Sequence, residues 1–168
     1  MNIRLDVEVN CIDGLAGHCA AVVLNPVSRV ISHIVVQPAG HGHAQVLVPL
    51  DYITDGSVQQ IGLRCTLDEL GKLDPFMQSE PIQQEAISET ELAVRAGTPV
   101  HATDGHIGQV DRFFVRAGSG EIMQLVLLEK HLLSKKDFII PVDQIDRIGE
   151  EAVHLKLSRQ EVEQLPRV

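Results

Sequence analysis

The chain repeats itself. Asp13-Gly14-Leu15-Ala16-Gly17 returns as Asp104-Gly105-His106-Ile107-Gly108 at a displacement of 91 residues. Val48-Pro49-Leu50-Asp51-Tyr52-Ile53 returns as Ile140-Pro141-Val142-Asp143-Gln144-Ile145 at 92, and Ile61–Thr66 returns as Val153–Ser158, again at 92. Three landmarks that keep one offset to within a residue point to a duplicated structural unit, and this sets the frame for every other feature. In a chain of 168 residues the duplication leaves room for two small units, and neither buries a large core alone. The two are therefore expected to pack against each other or against a second chain, with a pseudo-twofold pair or a homodimer as the natural arrangement.

The landmarks read as β structure. Asp13-Gly14 with Gly17, and Asp104-Gly105 with Gly108, mark tight turns in which Asp caps the local backbone, and the runs Cys19–Leu24 and Gln109–Val115 that follow read as strands. Second hairpin tips fall at Asn25-Pro26-Val27-Ser28 and Ala117-Gly118-Ser119-Gly120, each ahead of a β-rich run, Val30–Gln37 and Glu121–Glu129. Pro49 and Pro141 interrupt the next strand of each copy, which confines those strands to an edge, an end or a bulge. Thr66 with Glu69 and Ser158 with Glu161 have the spacing of a helix capping box, so each copy should close with a short helical turn. The expected fold is all-β with short helices: a first small barrel over 1–76, an acidic linker or short helix over 77–92, and a second barrel over 93–168.

Composition narrows the function. Aromatic residues are 3% of the chain, so platforms for stacking bases or sugars are scarce, and the formal net charge is −9. Neither half is basic, which disfavours direct nucleic-acid binding. No apolar run reaches the roughly 20 residues that span a bilayer, and no export signal is read at the start, so a cytoplasmic location is expected. Cys11, Cys19 and Cys65 form no CxxC pair and are read as reduced, small apolar residues.

The landmarks also carry a resemblance. Asp104-Gly105-His106-Ile107-Gly108-Gln109-Val110-Asp111, followed by Ile139-Ile140-Pro141-Val142-Asp143-Gln144-Ile145, resembles the opening hairpin and the proline strand of the PRC-barrel family. The first copy departs from that pattern, with Ala16 in the Ile position and Ala20-Ala21 in place of Val-x-Asp, and joins it through the internal repeat. Domains of this family occur in the cytoplasmic part of the photosynthetic reaction centre H subunit and at the C-terminal end of a ribosome-maturation factor. What the resemblance implies is a tandem PRC-like barrel that works as a docking surface without catalysis; the residues that carry a function still have to be argued separately.

No catalytic constellation is present: there is no GxSxG, Walker loop or GxGxxG, and turn chemistry accounts for Asp13 and Asp104. No cofactor is called for, and no metal site is assigned. His41-Gly42-His43 falls short of the three or four convergent ligands a zinc site needs, so a metal or small-ligand sensor ranks last among the readings. His101 and His106 flank the second Asp-Gly turn and are read as solvent-facing. One segment has no charged counterpart in the first copy: Lys130, Leu132, Leu133, Lys135 and Lys136 lie between two strands as a candidate partner-binding loop, with Arg112, Arg116 and Arg147 as candidate neighbours. The leading expectation is a non-catalytic adaptor with a protein partner. A ribosome- or RNA-associated assembly factor is the alternative.

Overall fold

The structure is a computed structural model that describes residues 1–40, 43–76, 91–130 and 133–168. The chain runs β1 (Asn2–Arg4), β2 (Glu8–Cys11), β3 (Gly14–Asn25), β4 (Val30–Pro38), β5 (Val46–Pro49), β6 (Ile53–Gly56), β7 (Gln60–Leu63) and α1 (Leu67–Leu70). It then repeats as β8 (Leu92–Arg95), β9 (Pro99–Ala102), β10 (Gly105–Val115), β11 (Ile122–Lys130), β12 (Lys135–Pro141), β13 (Ile145–Ile148), β14 (Val153–Leu155) and α2 (Arg159–Glu163). Among the described residues the protein is mainly β, with two similar barrel-like sheets of seven strands each and one short α-helix per copy. Of the segment expected as a linker over 77–92, residues 77–90 lie outside the described residues, and Leu92 already opens β8.

Local chemistry explains the elements. Asn25 turns the chain by accepting from Val27 N and Ser28 N through Oδ1 at 2.9 and 3.0 Å. Pro49 and Pro141 end β5 and β12, and a 3₁₀ turn follows each (Leu50–Tyr52, Val142–Gln144). Ser158 and Glu161 form the full reciprocal capping box on α2, while on α1 the Thr66 hydroxyl accepts from Glu69 N at 3.1 Å. The Asp of each opening turn has a longer reach than its own backbone. Asp13 Oδ1 accepts from Leu67 N and Asp104 Oδ1 from Arg159 N, both at 2.9 Å, so each turn holds the N-terminus of its copy's helix.

The two copies exchange their opening strands. β1 leaves its own copy and pairs with β10 (Ile3 opposite Phe113), whereas β8 pairs with β3 (Val94 opposite Val22). The chain thus crosses between sheets twice, once between β1 and β2 and once between β8 and β9. The crossings are related by the repeat: Leu5 N donates to Asp111 O at 3.0 Å and Ala96 N to Ala20 O at 3.3 Å. A second matched pair joins the hairpin tips, with Ile31 N on Gly120 O and Ile122 N on Arg29 O, both at 2.9 Å, around a Val30–Glu121 bridge. Arg29 and Gly120 are equivalent and both have positive φ, 58° and 75°. Their side chains differ: the Arg29 guanidinium donates to Val142 O and Ile145 O, each at 2.5 Å, while Gly120 leaves room for Leu50.

One core lies between the sheets. Val22, Leu24, Ile34 and Val48 of the first join Phe113, Leu125, Phe138 and Ile140 of the second in a single buried cluster, with Ile3 and Val94 delivered by the exchanged strands. A smaller cluster on the other face of the first sheet places Phe76 over Ala21, Val23, Val35, Leu47 and Ala93.

Candidate functional site

The β11–β12 hairpin carries the lysines singled out in the sequence. Lys130 stands opposite Lys135 at its end, with Glu129 opposite Lys136 one step inward. Leu133 at the tip is 100% exposed. Leu132 lies outside the described residues. Among the described residues no carboxylate is paired with Lys130, Lys135 or Lys136.

The exchanged strand brings Arg4 to this hairpin, a residue that the sequence reading did not connect with it. A cleft of about 390 Å³ opens between the crossing segments and the hairpin, with Arg4, Asp6, Gln109, Asp111, Lys130 and Lys135 on its walls. A smaller one of about 250 Å³ continues past Arg4 and Lys135 to Lys136, Asp137 and Arg167. Beneath them runs a chain of charges. Arg4 Nε lies 3.5 Å from Asp111 Oδ1, Arg112 Nε donates to Asp111 Oδ2 at 2.8 Å, and Arg112 Nη2 reaches Asp137 Oδ2 at 3.4 Å. Arg112 is only 3% exposed, so its two carboxylates compensate a cation almost fully removed from water. Of the three neighbours expected from the sequence, Arg112 alone joins the site: Arg116 pairs with Glu121 at 3.2 Å and Arg147 stands opposite His154.

The first copy lacks these groups. In register, Asp111-Arg112 replace Ala20-Ala21, Lys130 replaces Ala39, and Lys135-Lys136-Asp137 replace His43-Ala44-Gln45. There the outer face is apolar and covered by Phe76, with Arg95 over the ring at 5.7 Å and its guanidinium on Gln45 Oε1 at 3.3 Å. The first copy instead has an apolar groove of about 600 Å³ between the β2–β3 turn, α1 and the start of β5, lined by Leu15, Leu67, Leu70 and Leu73. His43 borders that groove, and His41 lies outside the described residues.

The sequence reading also missed a histidine ladder. His101 pairs with His106 across β9 and β10 and with His154 across β9 and β14, with ring centroids 5.5 and 5.4 Å apart. Burial, then Arg147 and His101, lower the pKa of His154 below its usual value. Writing the two copies in register would have flagged the ladder, because Asn10, Leu15 and Gly62 stand at the matching positions. Among the described residues no group of three or more His, Cys, Asp or Glu is placed to share a metal ion, and no helix is long and apolar enough to cross a membrane.

The turn residues named from the sequence are distributed as follows. Gly14 and Gly105 open β3 and β10 directly after their Asp, whereas Gly17 and Gly108 lie inside those strands. A Cβ at Gly17 would come within 1.8 Å of Gln37 O, and one at Gly108 within 2.6 Å of Leu128 O, so close approach of the next strand requires glycine there.

Compared with known proteins, the chain matches no family model and no curated protein.

Proposed function

We propose that the protein is a non-catalytic docking module of tandem PRC-barrel type, acting in the cytoplasm, that binds an acidic segment of a protein partner. The segment would lie against the β11–β12 hairpin and the cleft beside it. One observation carries this reading: Arg4, Lys130, Lys135 and Lys136 converge from distant points of a chain with net charge −9, next to a fully exposed Leu133. Three lysines without a carboxylate partner among the described residues, beside an Arg4 that is shared with Asp111, supply orientation and on-rate, and the exposed leucine at the hairpin tip supplies the desolvated anchor of a small interface. The copy-specific placement supports it too, because duplication leaves one unit to hold the fold while the other diverges at its surface.

A photo-crosslinking residue at position 133, used in a lysate with and without Lys135→Glu and Lys136→Glu, tests the proposal. A discrete crosslinked protein that is lost on charge reversal and at high salt is the expected result. An unchanged crosslinking pattern in the reversed variant removes the hairpin from the interface. The same cations also favour a second reading, an RNA-associated assembly factor. A steep fall of RNA affinity with salt would favour that reading, and no RNA binding at low salt would end it.

A further inference from the structure

Two cysteines far apart in the sequence lie side by side in the first copy. Cys11 ends β2, and Cys65 immediately precedes Thr66, the N-cap of α1. Ile12 N donates to Cys65 O at 3.1 Å, so the two backbones run together, and the Sγ atoms are 3.9 Å apart. Both side chains are buried, at 8% and 1% exposure. The fold itself does not demand the pair, since the second copy has Ala102 and Leu157 in these places. Cys19, the third thiol, is apart from them, with its Sγ on Ala21 O at 3.6 Å.

We propose that Cys11 and Cys65 form a modification site: a dithiol that a hydroperoxide converts to an intramolecular disulfide, tying the end of β2 to the start of α1. One thiolate attacks a peroxide oxygen and becomes a sulfenic acid, with the other oxygen leaving as water from hydrogen peroxide or as an alcohol from an organic hydroperoxide. The second thiolate then displaces the sulfenic hydroxyl, again released as water, and the S–S bond forms. With hydrogen peroxide, two thiols and one peroxide give one disulfide and two waters. The sulfurs must approach from 3.9 Å to about 2.0 Å, and the Ile12 N–Cys65 O hydrogen bond already holds the two backbones side by side. Burial, followed by the neighbouring Cys65, pushes the Cys11 thiol up to about 12. The site therefore oxidises slowly, faster at high pH and whenever the β2–α1 contact opens, and behaves as a latch and not as a fast sensor. α1 forms one wall of the apolar groove, so the bridge fixes that wall.

The test treats the whole protein with hydrogen peroxide, then alkylates it under denaturing conditions and maps the peptides. Expected is a Cys11–Cys65 crosslink with Cys19 alone alkylated, and a rise in Tm that dithiothreitol reverses. Cys19→Ala should leave the crosslink intact. Cys11→Ala, which installs the second copy's residue, should abolish both the crosslink and the rise in Tm. Three alkylated cysteines after oxidation, a bridge involving Cys19, or a crosslink without a reversible rise in Tm would each overturn the proposal.

Discussion

Asp111 and Arg112 occupy the places where the first copy has two alanines, and that contrast defines a clean experiment. Removing only Arg112 leaves Asp111, 9% exposed, with the more distant Arg4 as its one remaining cation among the described residues, and takes the Arg112 contact from Asp137. Arg112→Ala should cost about 3–5 kcal/mol, as expected when one member of a buried pair is lost. The double variant Asp111→Ala, Arg112→Ala, which copies Ala20-Ala21, should recover much of that loss. Urea unfolding of the two variants measures the difference, and equal losses would show that the pair is not coupled. The turn aspartates act at the same scale: Asp13→Ala or Asp104→Ala each frees one helix N–H and should cost about 1 kcal/mol. Two histidines add a pH dependence to stability. His33 and His154 both titrate below the ordinary value of 6.5, His33 because of burial and His154 because of burial and then Arg147. The unfolded chain thus takes up these protons first as pH falls. The associated stability is complete above about pH 7 and is lost as pH falls through about 6.5 and below. The denaturant midpoint of a His33→Asn, His154→Asn double variant should vary less with pH over that range. An unchanged slope would remove both histidines from the account.

Among the elements, β1 shows most clearly what sequence order conceals. It opens the first copy, yet it completes the sheet of the second, with Ile3 fully buried opposite Phe113. Ile3→Ala should cost about 2–5 kcal/mol. In hydrogen exchange its effect should appear first at Arg112–Phe114, more than a hundred residues away, and not at β2, its neighbour in sequence. If β2 opens first, the exchange of strands does not hold in solution. The sequence made the strand positions readable, because the turns after Asp13 and Asp104, the tip at Asn25 and the prolines at 49 and 141 each act within a few residues. It made the helix caps readable for the same reason. It could not show where β1 and β8 pair. A three- or four-residue strand has no local signal for its partner, and pairing depends on which long strand has a free edge beside the crossing.

For the molecule as a whole, the shared core predicts one cooperative transition. Both sheets contribute to a single buried cluster, so calorimetric and van't Hoff enthalpies of unfolding should agree. A two-step melt would mean that the copies fold independently despite their exchanged strands. The same architecture assembles the candidate site. Lys130, Lys135 and Lys136 were legible as an odd cluster against the first copy, but Arg4 joins them only through the exchange, and Asp137 meets Arg112 only through the β11–β12 register. The sequence by itself determined the duplication, the β class, the turns and the helix caps, all of which follow from short-range chemistry and from an offset that holds along the chain. The tertiary structure alone decided which copy each opening strand serves, which charges are buried together, and which thiols and imidazoles become neighbours. Those outcomes depend on packing between segments that can lie more than a hundred residues apart, and no local pattern encodes that proximity.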